Sequence, residues 1–440
     1  MEYPVNNLKD AYNACSDKPL EVNDTRYENL TSVRNGEKIS ILTNRITQIE
    51  NGDFCKQLFT GHIGSGKSTE LKRLQKELQD ERYFVVFLDV QQSLDLGEIT
   101  YQDVLLNIAQ AVTEALEKSN IKIDSTLFSD IEAWFADTIV SEIYDKEVKA
   151  SALVEGKAKI GFPLMVSLLT KLTGEIRSGS TYRTEIRRIL ERDLSVFIAK
   201  LNDLLLAARL QLQKNNYIDL VVIVDGLEKM RHRNLSDHET SYSDLFINHA
   251  EQLNALNCHV IYTVPIAVPF SFNTRDFYND RAFVLPMIKY KTTAGQEKLI
   301  ALVNKRLQSA TLFENEQLLV DLINMSGGSI RDLFQLIRAT CETAENIIKQ
   351  TDVDRAISNL VKDYDRMVQK DYVVLLNEID INERIPSDGD KICESLLRNR
   401  LVHEYENGKR WAGLHPALSR ITWLQTEFTR LRLPPPTPTP

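Results

Sequence analysis

Apolar residues fall along this chain in two kinds of pattern. Short apolar runs predict strands: "CKQLFT" (55–60), "YFVVFLDV" (83–90), "YIDLVVIVDG" (217–226), "CHVIYTV" (258–264) and "AFVLPMI" (282–288), of which 83–90, continuous and rich in β-branched and aromatic residues, reads as buried on both faces. Elsewhere apolar positions recur every three or four residues, which is one face of a helix. Leu71, Leu74 and Leu78 mark a helix after the first run. Val104, Leu105, Ile108, Val112 and Leu116 mark one over 101–118, and Ile186 through Leu205 a long one over 181–215. A further short helix is predicted within 32–52. Strands alternating with helices through residue 288 predict an α/β fold: a parallel sheet with helices on both faces.

Beyond residue 290 helical spacing takes over, at 293–309, 314–325, 328–349 and 353–380, and predicts a helical lid domain. The period then changes again. A helix ending near Arg400 is followed by "LVHEYENGKRWAGL", two short strands about the turn pair Asn407 and Gly408, which predicts a winged-helix-like domain. The last residues, "LPPPTPTP", cannot build a core and predict disorder. The expected domains are an irregular N-terminal segment (1–30), an α/β core (31–290) with a helical insertion over 119–182, the lid (291–380), the winged-helix-like domain (385–430) and a tail (431–440).

Composition narrows the class. A chain of 440 residues with 43% hydrophobic and 26% charged residues is ordinary globular usage spread over two or three domains. The net charge of -9 makes it no general nucleic-acid binder, so any such contact must be local. Five widely separated cysteines without a C-x-x-C pair suit a reducing, cytoplasmic compartment. The N-terminus has no basic-then-apolar leader pattern, and "GFPLMVSLLTKLTG" (161–174) is too short to span a bilayer, so it reads as an amphipathic helix and no membrane contact is expected.

The chemistry is concentrated in "GHIGSGKST". Gly61 to Ser68 matches G-x-x-x-x-G-K-[ST] at every fixed position, and lies between a predicted strand and a predicted helix. In such a loop the backbone N–H groups of Gly61, His62, Ile63, Gly64, Ser65, Gly66, Lys67, Ser68 and Thr69 converge on phosphate oxygens at a helix N-terminus. Lys67 reaches the β- and γ-phosphates, and Ser68 supplies a hydroxyl to Mg²⁺, with Thr69 as the neighbouring choice. His62 occupies a variable position of the pattern. A second motif, "LVVIVDGLEK" (220–229), places Asp225 at the end of a strand, where the Mg²⁺ water shell needs an anion. Glu228, three residues on, can orient or deprotonate the attacking water. His232, His238 and His249 lack ligand spacing, and no other hydrolase constellation is present.

With "hhhhDGLE" in place of a plain Asp-Glu pair, the chain resembles the AAA+-related STAND and KAP group of P-loop ATPases over roughly residues 25–425. The resemblance continues in "CHVIYTVP", "SGGSIRDLFQLIRAT" and "LLRNRLVHEYENGKRWAGLHP". It implies that Thr263 is the sensor-1 residue near the γ-phosphate and that Arg331 is the sensor-2 cation of the lid. Arg275 or Arg281 would be the arginine finger offered to a neighbouring subunit. The cofactors implied are ATP and Mg²⁺. The departure from Asp-Glu implies slow hydrolysis.

The functional expectation is a nucleotide-controlled switch that self-associates and drives a separately encoded protein effector, in the manner of bacterial antiphage proteins. Two alternatives stand beside it. One is a DNA-binding AAA+ initiator or loader using Arg398, Arg400, Lys409, Arg410 and Arg420 of the winged helix; the other is a nucleotide-binding scaffold that does not hydrolyse. The apolar face of 161–174 is the expected partner contact.

Overall fold

The computed structural model describes residues 2–34, 39–50, 52–121, 123, 129–140, 142, 162–237, 239–278, 280–386, 391–406 and 410–433. Five strands form one sheet: β1 (Lys56–Gly61), β2 (Phe84–Asp89), β3 (Leu220–Asp225), β4 (His259–Thr263) and β5 (Phe283–Leu285), in the spatial order β2-β3-β4-β1-β5. The β2/β3, β3/β4 and β4/β1 pairs are parallel. Every residue of β1, β3 and β4 is buried, which requires cover on both faces; β3 is an unbroken apolar run up to Asp225, whereas β1 also buries Lys56, Gln57 and Thr60. The predicted α/β parallel sheet is therefore present.

The chain divides into two compact units, residues 39–60 with 71–283, and residues 1–38 with 61–70 and 284–440. In the first, the helix Tyr101–Lys118 packs on β2 and β3. At its start the Asp103 carboxylate accepts a hydrogen bond from the Thr100 N–H at 3.0 Å. The long helix expected over 181–215 is two, Tyr182–Arg192 and Leu194–Lys214, separated at Asp193.

The segment Phe162–Ser178 is a helix, as its spacing predicts. Its apolar face is not free for a partner. Met165, Leu169 and Leu172 are fully buried and the helix packs on Tyr101–Lys118. Uncovering each such side chain costs about 1.5–3 kcal/mol, so this face is core, and the expectation of a partner contact there is corrected.

In the second unit the helices Thr293–Asn304, Glu316–Met325, Ile330–Thr343 and Gln350–Met367 form a packed group. The helical reading of 353–380 runs together two helices, the second being Val373–Asn382. The N-terminal segment is less irregular than expected. Asn7 accepts a hydrogen bond from the Asp10 N–H at 2.9 Å and starts a helix, Leu8–Ala14, that packs on Ile330–Thr343.

Near the C-terminus a helix, Lys391–Arg398, leads into β6 (Val402–Glu406) and β7 (Arg410–Leu414), paired antiparallel from Val402↔Leu414 to Glu406↔Arg410. The helix-then-hairpin order read from 390–418 is present; the turn pair Asn407 and Gly408 lies outside the described residues. A last helix, Thr422–Arg432, buries Leu424 and Phe428 and packs on Val373–Asn382. The tail 434–440 also lies outside the described residues.

Candidate functional site

The loop 61–66 leaves the end of β1 and turns into the helix Lys67–Asp80. Gly64 has φ +92°, and a Cβ there would sit 2.8 Å from both Arg331 Cβ and Ser329 Oγ, so only glycine fits both the backbone and the neighbour. Lys67 is buried, and its Nζ donates to the carbonyls of Gly61 (2.9 Å) and His62 (3.1 Å), which draws the ammonium back along the loop. Ser65 is buried, while Ile63, Ser68 and Thr69 are half-buried. The Thr69 hydroxyl accepts a hydrogen bond from the Leu20 N–H at 3.2 Å, so the N-terminal segment reaches the first turn of this helix.

His62, a variable position in the sequence pattern, is here a structural link. It is 1% exposed, and its Nε2 accepts a hydrogen bond from the main-chain N–H of Glu404 in β6 at 2.9 Å. That bond requires an unprotonated Nε2. Burial first, and then the charge of Lys67, push the His62 pKa down to about 3, so the ring is neutral at physiological pH.

Beyond it lies a buried file of side chains. The His62 ring is 5.2 Å from that of His403, His403 is 5.1 Å from His415, and His415 stacks on Tyr364 at 3.9 Å. The file ends on Asp332, which is 1% exposed, 2.7 Å from Arg400 and 3.5 Å from His415 Nε2, and accepts from the Tyr364 hydroxyl at 3.3 Å. Burial alone would raise the Asp332 carboxyl; the His415 contact and the Arg400 charge hold it well below the usual carboxylate range.

Arg331, the sensor-2 candidate, stands next to that anchor. Its main-chain N–H donates to the Gly64 carbonyl at 3.4 Å, and its guanidinium Nε lies 3.3 Å from an Asp17 carboxylate oxygen. The Ser329 hydroxyl caps the start of its helix by accepting from the Asp332 N–H at 3.2 Å. The Gly327 carbonyl accepts from the Tyr405 hydroxyl at 2.7 Å, which ties the same turn to β6. The structure thus brings His62, Gly64 and Arg331 together with hairpin residues that sequence spacing left remote.

The sheet carries the remaining candidates. Asp225, at the end of β3, is 4% exposed and is the Cα partner of Asp89 at the end of β2. Asp89 was not singled out in the sequence, although an acid closing a strand run was the same signal that found Asp225. Thr263 ends β4, the strand between β1 and β3, in register with Phe59. Its hydroxyl is fully buried and accepts from the N–H groups of Gly226 (2.9 Å) and Leu227 (3.1 Å). Thr263 therefore shapes the "DGLE" turn, in which Gly226 takes φ +102°, and keeps its hydroxyl proton to donate. Glu228 is buried in the single turn Leu227–Lys229. Arg275 and Arg281 are exposed on the same unit.

For Mg²⁺, a serine hydroxyl and a strand-end carboxylate are the hard oxygen donors this ion takes; Ser68 in one unit and Asp225 in the other are each of that type. Among the described residues no group of three or more His, Cys, Asp or Glu could hold a metal ion. His232 packs edge-on to Tyr242, and His249 lies 3.4 Å from Asp244.

A G-x-x-x-x-G-K-S loop running from a central parallel strand into a helix, with an acid closing a strand two places along the sheet, defines a P-loop nucleotide-binding fold. No protein-family model matches the chain. No curated protein sequence matches it either. Among solved structures it is similar to a crystal structure of Cdc6p from Pyrobaculum aerophilum, at 11% identity and a TM-score of 0.37, over 90% of this chain and 93% of that one. Among the described residues no helix is long and apolar enough to cross a membrane.

Proposed function

We propose that the protein is an AAA+-related, Mg²⁺-dependent ATP-binding switch with slow hydrolysis, in which the lid and the C-terminal hairpin read the state of the phosphate loop. The observation that carries this reading is the contact set on the loop itself. A loop residue, His62, accepts from the hairpin backbone, while Gly64 accepts from Arg331 at the lid helix. A polyphosphate seated on the loop draws Lys67 away from the Gly61 and His62 carbonyls. That change is felt at both contacts, which gives binding a differential effect on two arrangements. Ser68 would offer a hydroxyl and Asp225 a carboxylate to Mg²⁺, Glu228 would orient the water, and Thr263 keeps the turn between Asp225 and Glu228 in place.

The output passes through self-association and a separate protein effector; a role in bacterial antiphage defence rests on the family resemblance. The DNA-loader reading is disfavoured by the use of its basic residues inside the chain. Arg400 is bound to buried Asp332, and Arg410 makes two 2.9 Å hydrogen bonds to Glu404. The test is nucleotide binding and steady-state turnover per subunit over a wide range of protein concentration. Binding lost in Lys67→Ala and turnover rising with concentration support an oligomeric switch. No binding of Mg-ATP by the wild-type chain overturns the reading, and binding with flat, near-zero turnover turns it into a non-hydrolysing scaffold.

A further inference from the structure

The N-terminal segment is anchored at two places around the phosphate loop. At one end the helix Leu8–Ala14 packs on Ile330–Thr343, the helix that carries Arg331. There the Arg338 guanidinium donates to the Tyr12 hydroxyl at 2.7 Å and lies 4.2 Å from the centre of the Tyr12 ring. At the other end the Leu20 N–H donates to the Thr69 hydroxyl at 3.2 Å, in the first turn of Lys67–Asp80. Asp17 lies between these anchors. Its carboxylate is 3.3 Å from Arg331 Nε and is the ion partner of that guanidinium among the described residues. Arg331 in turn stands on the loop, since its N–H donates to the Gly64 carbonyl at 3.4 Å and a Cβ placed on Gly64 would lie 2.8 Å from Arg331 Cβ. All of these residues belong to one compact unit.

A guanidinium tethered so close to Gly64 feels any polyanion that the loop holds. Such a ligand attracts Arg331 and repels Asp17, and both effects work against the pair. The pair itself is loose. Its two side chains are 28% and 47% exposed, and an ion pair in that much water is weak, so a phosphate can compete with it. A fully buried pair would resist the exchange. The two anchors of the segment keep the carboxylate beside Arg331 at a high local concentration, which makes even a weak partner an effective competitor.

We propose that Asp17 is an autoinhibitory residue, a built-in competitor of the nucleotide polyphosphate for the Arg331 guanidinium. A nucleotide that recruits Arg331 displaces Asp17, so occupancy of the loop is coupled to the hold of the N-terminal segment on the lid helix. The longer and more highly charged polyphosphate competes better, and Asp17 therefore costs ATP more than it costs ADP. Asp17 acts through Arg331 and is a positioning residue. This inference rests on the reading of 61–69 as a nucleotide loop.

The experiment is calorimetric titration of the full chain with ATP and with ADP, for wild type, Asp17→Asn, Asp17→Glu, Arg331→Gln and the Asp17→Asn, Arg331→Gln double variant, with a thermal melt of each. Asn keeps the shape of the side chain and removes its charge. Asp17→Asn is expected to tighten ATP about three- to tenfold and ADP less. Asp17→Glu, which keeps the charge, is expected to stay close to wild type. In the Arg331→Gln background the gain from Asp17→Asn is expected to shrink to about twofold or less, because the group competed for is gone. An ATP affinity that is unchanged or weaker in Asp17→Asn, an equal gain for both nucleotides, or a gain undiminished without Arg331 makes the pair a plain surface tie and overturns the inference. If neither wild type nor Asp17→Asn binds either nucleotide, the loop reading itself falls, a result distinct from nucleotide binding that is indifferent to Asp17.

Discussion

The main-chain N–H of Glu404 donates to the Nε2 of His62 at 2.9 Å, so a strand near the C-terminus is hydrogen-bonded to a side chain of the phosphate loop 342 positions earlier. Strand edges normally bond to other backbones. Here the acceptor is a neutral imidazole, held neutral because the site is buried and Lys67 is close. The hairpin is thus tied to a residue of the G-x-x-x-x-G-K-S loop.

Removing that acceptor should loosen the hairpin. His62→Ala leaves a buried N–H unpaired, worth about 1–3 kcal/mol, so the Glu404 amide should exchange with solvent roughly 10- to 100-fold faster. Hydrogen–deuterium exchange read over 402–406 checks it. An unchanged Glu404 amide would show that the ring and the strand are merely neighbours.

Acid should weaken this unit well before it reaches the carboxylate range. His62, His403 and His415 all have pKa values lowered by burial, and His62 is pushed down to about 3. Below about pH 6.5 the unfolded chain takes up protons that the folded chain refuses, so the stability they contribute is present above that pH and is lost as pH falls toward 3. The slope approaches about 1.4 kcal/mol per pH unit for each such histidine, as an upper limit. Urea midpoints at pH 7.5, 6.5 and 5.5 should decline, and His403→Phe should flatten the decline.

Asp332 is the other end of the same file. Asp332→Ala strands Arg400 without its anion and should cost about 3–5 kcal/mol. Arg400→Met should cost less, since Asp332 keeps Tyr364 and His415. Denaturant unfolding of the two variants orders them; equal midpoints would contradict the buried-anchor role.

Two glycines should respond oppositely to alanine. At Gly64 the new Cβ meets Arg331 and Ser329 at 2.8 Å with φ at +92°, so Gly64→Ala should lose about 1–3 kcal/mol and weaken nucleotide binding more than tenfold. At Gly174, inside the helix Phe162–Ser178, nothing lies within 4 Å, and Gly174→Ala should stabilise by up to about 1 kcal/mol. Melting curves and ATP titrations of both separate the cases.

Thr263→Val removes the acceptor of two buried N–H groups while keeping the shape of the side chain. The loss should be about 2–4 kcal/mol, with ATP turnover falling further than stability does, and Thr263→Ser should restore both. If Val and Ser behave alike, the hydroxyl does not shape the "DGLE" turn.

Much of this architecture is legible in the linear chain. Strands such as Leu220–Asp225 are buried on both faces and so appear as runs, and the glycines and lysine of 61–68 are needed at fixed local spacing by the loop's own geometry. Elements that draw stability from distant partners are not legible. The helix Leu8–Ala14 buries only Ala11 and Ala14 of its own residues, and packs on Ile330–Thr343. The break at Asp193 leaves the apolar spacing on either side intact, so two helices read as one.

The sequence by itself determined the α/β class, through runs and helical spacing that alternate along the chain, and the G-x-x-x-x-G-K-S loop, whose residues lie within a few positions of one another. Only the tertiary structure decided that His62 serves the hairpin, that Arg34 stands behind Ser65, and that Arg331 lies beside Asp17. Those pairs are 342, 31 and 314 residues apart, and burial, charge and hydrogen bonding act on distance in space, which spacing along the chain does not encode.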